Sequence, residues 1–213
     1  MPGPAATKLD WQGTITAVQP RIRMTRSFDQ RHHSYLGYAL FVEGVVDGAA
    51  RLFSLGVGPA AHEKHGFAPG DVVSGQALSV PDPELEPVEF YKVTRIRVAK
   101  PGASPKEEPP PWTGAPPSLA TYRERGHRRL AAQTYESHCT RCLWGARMPV
   151  EMILDQWNPD RRSYRFETFC YGPKSCPRYR PGPARKVPGR KGMSWTEEDW
   201  VDEQDTAHRE PGE

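Results

Sequence analysis

The four cysteines of this 213-residue chain come as two close pairs, Cys139-Thr-Arg-Cys142 and Cys170-Tyr-Gly-Pro-Lys-Ser-Cys176, with 27 residues between them. A Cys-x-x-Cys turn puts two sulfurs on one side of a metal, and a second turn can supply the other two. The spacing points to a tetrahedral zinc site with ligands Cys139, Cys142, Cys170 and Cys176, or to an iron–sulfur cluster as the alternative. Four thiolates leave zinc no open position, so the site reads as structural rather than catalytic. It would stabilise about 50 residues with a thin core of their own. No His-x-Glu precedes a Pro-Cys-x-x-Cys, as a zinc deaminase needs, and no βαβ pattern surrounds Cys139–Cys142, as a thioredoxin-like motif needs.

Composition argues against one core through the whole chain. The hydrophobic share is 37%, and 23 Pro and 19 Gly demand many turns and linkers. No apolar run reaches the roughly 20 residues of a membrane helix. The start, Met-Pro-Gly-Pro-Ala-Ala-Thr-Lys, has neither the charged beginning nor the apolar middle of a signal peptide. The expectation is a cytoplasmic protein with no membrane partner, its cysteines reduced. Charge is unevenly placed. Residues 139–191 hold 12 Lys and Arg against 4 Asp and Glu, a net of +8, while residues 192–213 hold 1 against 8, a net of −7.

Residues 8–100 contain five strand-like runs, at 11–23, 35–46, 51–57, 72–80 and 91–98. A short helix with Pro59 at its start and Gly66 at its end separates the third from the fourth. Three strands, a helix and two strands resemble the OB-fold, a five-stranded Greek-key barrel. The phrase Phe67-Ala-Pro-Gly-Asp71-Val-Val-Ser-Gly75 resembles the entry to its fourth strand. The resemblance implies ligand contact on the second and third strands and the rim loops. The first of those loops carries Arg21, Arg23, Arg26, Phe28, Arg31 and Tyr35, guanidinium groups to follow phosphates and rings to stack on bases. The loop at 81–89 is acidic and suits a protein partner instead. His32, His33, His62 and His65 read as surface residues.

Residues 101–117, with seven prolines, read as an extended linker in which Trp112 is a candidate to dock on a neighbour. Residues 118–191 read as a helix opened by a capping box at Thr121–Glu124, followed by the cysteine module. Strands at 148–154 and 164–169 between two cysteine turns resemble a zinc ribbon, except that about two residues usually separate the second pair and here there are five. Arg125 and Arg128 on the helix, and Arg178, Arg180, Arg185, Lys186, Arg190 and Lys191 on a cationic arm, are further candidates for phosphate contact. Residues 192–213 read as a flexible acidic tail with a helix opened by a capping box at Ser194–Glu197. That tail can fold back on the arm, with Trp195 and Trp200 as anchors. The run Trp144-Gly, Met148-Pro-Val, Asp155-Gln-Trp157-Asn-Pro and Phe169-Cys-Tyr-Gly-Pro-Lys-Ser-Cys176-Pro resembles an uncharacterised bacterial protein family, which implies no activity.

The fold expected is mainly β: an OB-like barrel, a Pro-rich linker, a small α+β zinc-binding module and an acidic tail. The function expected is non-enzymatic binding of RNA or single-stranded nucleic acid. A protein-interaction scaffold or assembly factor is the alternative, acting through the acidic loop or tail. An enzyme is the third reading, with no nucleophile–base pair, phosphate loop or paired-carboxylate motif to support it.

Overall fold

A computed structural model describes residues 7–27, 30–103, 108–155, 157–188, 192–210 and 212. The expectations for Phe28, Arg190 and Lys191 lie outside the described residues. The chain is mainly β. Five strands close into a ring: β1 (Leu9–Arg26), β2 (Arg31–Val46), β3 (Ala49–Val57), β4 (Val72–Ser79) and β5 (Phe90–Lys100), in the order β1-β2-β3-β5-β4-β1. Helix α1 (Pro59–His65) sits between β3 and β4 and ends on Gly66 in the left-handed region, at φ 60°. Every pairing in the ring is antiparallel except β3 with β5, which meet at Leu55 and Phe90. The inward face carries Trp11, Ile15, Val18, Ile22, Leu40, Val42, Leu55 and Val73, all buried. Burying each large apolar side chain contributes about 2 kcal/mol.

The 18 residues of β1 serve two partners. Leu9–Thr14 pairs with β4, and Met24–Arg26 pairs in parallel with Val150–Met152 of β7 (Gly145–Ile153). The burial pattern follows this division. The first half alternates buried and exposed, as one covered face requires, while from Ala17 to Pro20 every residue is buried because a second layer covers the other face. That layer is β7 with β8 (Arg162–Cys170), paired from Gly145↔Cys170 to Ile153↔Arg162, and the two-residue β6 (Arg128–Arg129) at its edge. Gly37 lets β2 curve onto β3: its φ is +132°, and a Cβ there would lie 2.0 Å from the Val57 carbonyl oxygen. In the turn before β4, Asp71 accepts hydrogen bonds from the N–H groups of Ala68 and Gly102, which explains the Phe67–Asp71 phrase.

Several elements depart from the local sequence signals. The arginine-bearing stretch 21–35 is no loop: β1 runs through Arg26 and β2 begins at Arg31. Helix α2 (Leu119–Arg125) starts one turn early, with the Ser118 hydroxyl accepting from Thr121 N–H, and stops at Gly126. Ser194–Glu197 is strand β10, not a capping box. It pairs with β9 (Arg185–Pro188), and helix α4 (Asp199–Asp205) follows without a side-chain cap. The acidic segment is therefore folded against the body, with Glu197, Val201, Asp202, Thr206 and Arg209 buried, whereas Trp200 is exposed. The proline stretch is docked as well: Tyr38 donates to the Pro117 carbonyl at 2.8 Å, and Leu143 N–H donates to the Trp112 carbonyl at 2.9 Å. His62 is buried, its ring 4.0 Å from that of Tyr38.

Candidate functional site

The four cysteines meet at one place. Helix α3 (Ala132–Thr134) runs on through a wider π-type turn, Tyr135–Cys139, which delivers Cys139. The next turn brings Cys142 back, its N–H on the Cys139 carbonyl at 3.1 Å. Cys170 ends β8. The five residues after it fold so that Cys176 N–H reaches the Pro173 carbonyl at 3.1 Å, and this returns Cys176 to the same side. All four line a cavity of about 20 Å³ together with Trp112 and Tyr179, and all four are free of disulfides. Burial and the neighbouring thiols push Cys139 up to about 12, against the nearby Arg178 guanidinium. Burial pushes Cys142 up to about 11, opposed by hydrogen bonds from the backbone at Trp144 and Trp112. Cys170 is also raised by burial, and the Gly172 N–H (3.4 Å from its sulfur) and Arg128 oppose the rise. As they stand, no three or more His, Cys, Asp or Glu side chains among the described residues are arranged to hold a metal ion.

Gln19 joins this knuckle to the ring. It is 2% exposed on β1, and its amide nitrogen donates to the carbonyls of Cys139 (2.8 Å), Thr140 (3.3 Å) and Cys142 (2.9 Å). Its amide oxygen accepts from the Tyr135 hydroxyl at 2.7 Å. Nothing about a glutamine in a strand reveals this, because all its partners lie more than 115 residues away in sequence.

Beside the knuckle, between β1–β2 and β7–β8, opens a cleft of about 810 Å³ lined by Gln19, Phe41, Tyr135, Arg147, Phe166 and Lys186 among others. It continues over the outer face of β2 and β3 into a second hollow of about 460 Å³, which shares Phe41 and Thr140 with the first and adds Leu52 and Arg141. Arg147 lies over the Phe166 ring, 4.0 Å from its centroid. The pair is diagonal on the β7–β8 ladder, where Arg147 opposes Thr168 and Pro149 opposes Phe166. Arg147, Arg141 and Lys186 are exposed and form no ion pair among the described residues. Deeper in the cleft, Glu167 is buried between Arg165 (2.5 Å) and Arg185 (2.7 Å).

The arginines singled out from the sequence are mostly taken up inside the molecule. Arg21 and Arg23 share Glu86 of the acidic loop, at 2.7 and 3.1 Å. Arg26, 2% exposed, grips Glu197 with two nitrogens, at 2.8 and 3.1 Å. Arg31 bridges Glu197 and Asp205. Tyr35 carries Arg123 over its ring. Arg125 covers the Trp144 ring and donates to the Tyr171 carbonyl. Arg128 stacks on Tyr179 at 3.8 Å and donates to the carbonyls of Pro173 and Lys174. Arg178 is half-buried at the cysteine cavity, and the exposed Arg180 bonds carbonyls of its own turn. Of the described members of this set, only Arg185 and Lys186 reach the cleft. Phe41, Phe166, Arg141, Arg147 and Arg165 escaped the sequence reading. The alternation of β2, which sets Phe41 opposite Leu40 and Val42, was the one available signal. No helix among the described residues is long and apolar enough to cross a membrane. Comparison with protein-family models, with curated proteins and with solved structures gives no match.

Proposed function

We propose that the protein is a non-enzymatic binder of single-stranded nucleic acid, RNA in first place, and that its binding surface is the groove from Arg147 across Phe41 to Leu52. One observation carries the reading. Two partly exposed rings, Phe41 and Phe166, lie along a groove whose free cations are Arg147, Arg141 and Lys186. Rings take bases by stacking, at about 1–3 kcal/mol per base, and cations follow the phosphates between them. The strand order β1-β2-β3-β5-β4-β1, with a helix between β3 and β4, supports an OB-like barrel, and barrels of that kind bind oligonucleotides on the β2–β3 face. The cysteine turns and the β7–β8 hairpin support a zinc-ribbon-like module fused to it. Four unoxidised cysteines suit a reducing, cytoplasmic setting.

Fluorescence anisotropy with a labelled single-stranded oligonucleotide tests this. The expected result is salt-sensitive binding that weakens at least roughly tenfold in Phe41→Ala and in Arg147→Ala. Salt-independent binding, or groove variants that bind as tightly as the wild type, overturns the reading. The internal pairing of most arginines favours a second reading, a protein-assembly factor. Its partner would meet the exposed side chains of Trp157 and Trp200.

A further inference from the structure

We infer that Cys139, Cys142, Cys170 and Cys176 together hold one zinc-class divalent ion, and that Gln19 makes the occupancy of that site a determinant of the groove beside it.

The first half stands on the cavity alone. Four sulfurs from two separate turns line one small enclosed space, large enough for a single ion and walled by Trp112, Trp144 and Tyr179. A backbone N–H is already placed on one of the sulfurs, from Gly172 to Cys170 at 3.4 Å. Such a donor stabilises thiolate and is of little use to a neutral thiol. Gly172 sits where a Cβ would come within 3.4 Å of the Cys170 sulfur, so the second turn passes the site as bare backbone. Arg178 lines the cavity and Arg128 reaches the Cys170 sulfur, so at most two positive charges face four thiolates and the balance is lacking. A soft divalent cation supplies that charge, and four thiolates with tetrahedral freedom select zinc over oxygen-seeking ions. Rotation about χ1 is the adjustment that brings cysteine sulfurs from the cavity wall onto a common ion.

The second half follows from Gln19 and rests on the proposed groove. The same peptide turn that presents Cys139 and Cys142 is fastened through three carbonyls to a β1 side chain. That side chain also holds Tyr135, and both residues line the cleft. Thr140, between the two cysteines, is one of the two residues, with Phe41, shared by the two hollows of the groove. An ion that draws Cys139 and Cys142 together fixes this turn. Without it, the turn is held by the Gln19 amide and a few backbone bonds.

The test uses the full chain and the metal alone. Protein expressed with zinc and gel-filtered is assayed by elemental analysis. Reduced, metal-stripped protein is then titrated with Co²⁺, read by the thiolate charge-transfer and tetrahedral ligand-field bands. The expected result is one zinc per chain and cobalt bands that saturate at one equivalent. Cys176→His, which keeps a ligand, retains the metal with shifted bands, and Cys142→Ser loses it. No bound metal, weak octahedral cobalt bands, or iron with acid-labile sulfide overturns the site. Hydrogen exchange then reads the coupling. Metal removal is expected to speed exchange of the 139–147 amides by roughly tenfold or more. In Gln19→Ala the metal stays bound but the protection no longer extends to Tyr135. Equal exchange in loaded and stripped protein overturns the coupling. Neither readout involves nucleic acid, so failure of the groove reading leaves both results interpretable.

Discussion

Replacing Glu197 tests whether the acidic C-terminal segment is part of the fold. Its carboxylate is 2% exposed and receives two nitrogens of Arg26 and one of Arg31, at 2.8, 3.1 and 3.1 Å. Arg26 is itself 2% exposed, lies on the part of β1 that pairs with β7, and has no other carboxylate among the described residues. Glu197→Gln keeps the shape and removes the charge, which leaves a buried guanidinium uncompensated. Breaking a buried pair from one side costs about 3–5 kcal/mol. For a chain of this size that lowers Tm by roughly 10 °C. Asp199→Asn is the internal control. Asp199 is 74% exposed and contacts an Arg129 that Asp202 also holds, so its loss is expected to cost under about 1 kcal/mol. Urea unfolding followed by tryptophan fluorescence measures both variants. The double replacement Arg26→Met with Glu197→Leu removes both charges and is expected to recover most of the loss. If Glu197→Gln unfolds within about 1 kcal/mol of wild type, or no earlier than Asp199→Asn, the segment is not held by this pair and the reasoning fails.

Two further outcomes follow from the same region. His33 and His127 face each other at 4.9 Å among Arg26, Arg31, His32 and Arg185, with Glu197 the nearby carboxylate. Burial, followed by those cations, holds His33 down at about 4 and His127 well below its usual range. The unfolded chain takes up these protons near pH 6.5 and the folded chain does not, so stability is full above about 6.5 and falls as pH drops toward 4. His33 alone accounts for about 3 kcal/mol at the low end, and urea midpoints at a series of pH values should flatten in a His33→Gln, His127→Gln double variant. Truncation before Ser194 removes Glu197, Asp199, Asp202 and Asp205 together, and with them the partners of Arg26, Arg31 and Arg129. The expected product lacks a cooperative unfolding transition by calorimetry; a truncated chain that melts sharply near the wild-type Tm would contradict the structure.

The ring was legible because its information is local. Leu36, Tyr38, Leu40 and Val42 alternate, Pro59 and Gly66 bracket a helix, and Gly66 to Gly70 mark a turn. The cysteine cavity was legible because pair spacing is local too. What failed depended on partners far along the chain. Arg21, Arg23 and Arg26 look like a polar loop until Glu86 and Glu197 stand beside them, and with those carboxylates in place β1 continues through Arg26. Ser194–Glu197 satisfies the capping pattern, yet the ladder to β9 offers its backbone partners that a free helix end lacks. Gln19 carries no sequence signal at all, since its meaning is three carbonyls brought by another element.

The same partners change what the charge asymmetry means. A +8 segment followed by a −7 segment reads, in sequence, like the footprint of a polyanion and a tail that masks it. In the folded chain the acidic segment is spent on arginines that precede the basic one, Glu197 on Arg26 and Arg31, Asp205 on Arg31, Asp199 and Asp202 on Arg129, while the basic segment pairs Arg162, Arg165 and Arg185 with its own Glu151 and Glu167. The groove is left with Arg141, Arg147 and Lys186 as exposed cations, and with Glu43 and Glu136 as exposed carboxylates on the same lining. A single strand lying there displaces counterions from about three phosphates, and at about 0.7 per phosphate the logarithmic salt slope is near −2. The aromatic faces, rather than the cations, must then carry most of the affinity, so Phe41→Ala should weaken binding more than Lys186→Ala does. A slope several times steeper would mean that the paired arginines leave their carboxylates on binding, and that the acidic segment is a mask after all.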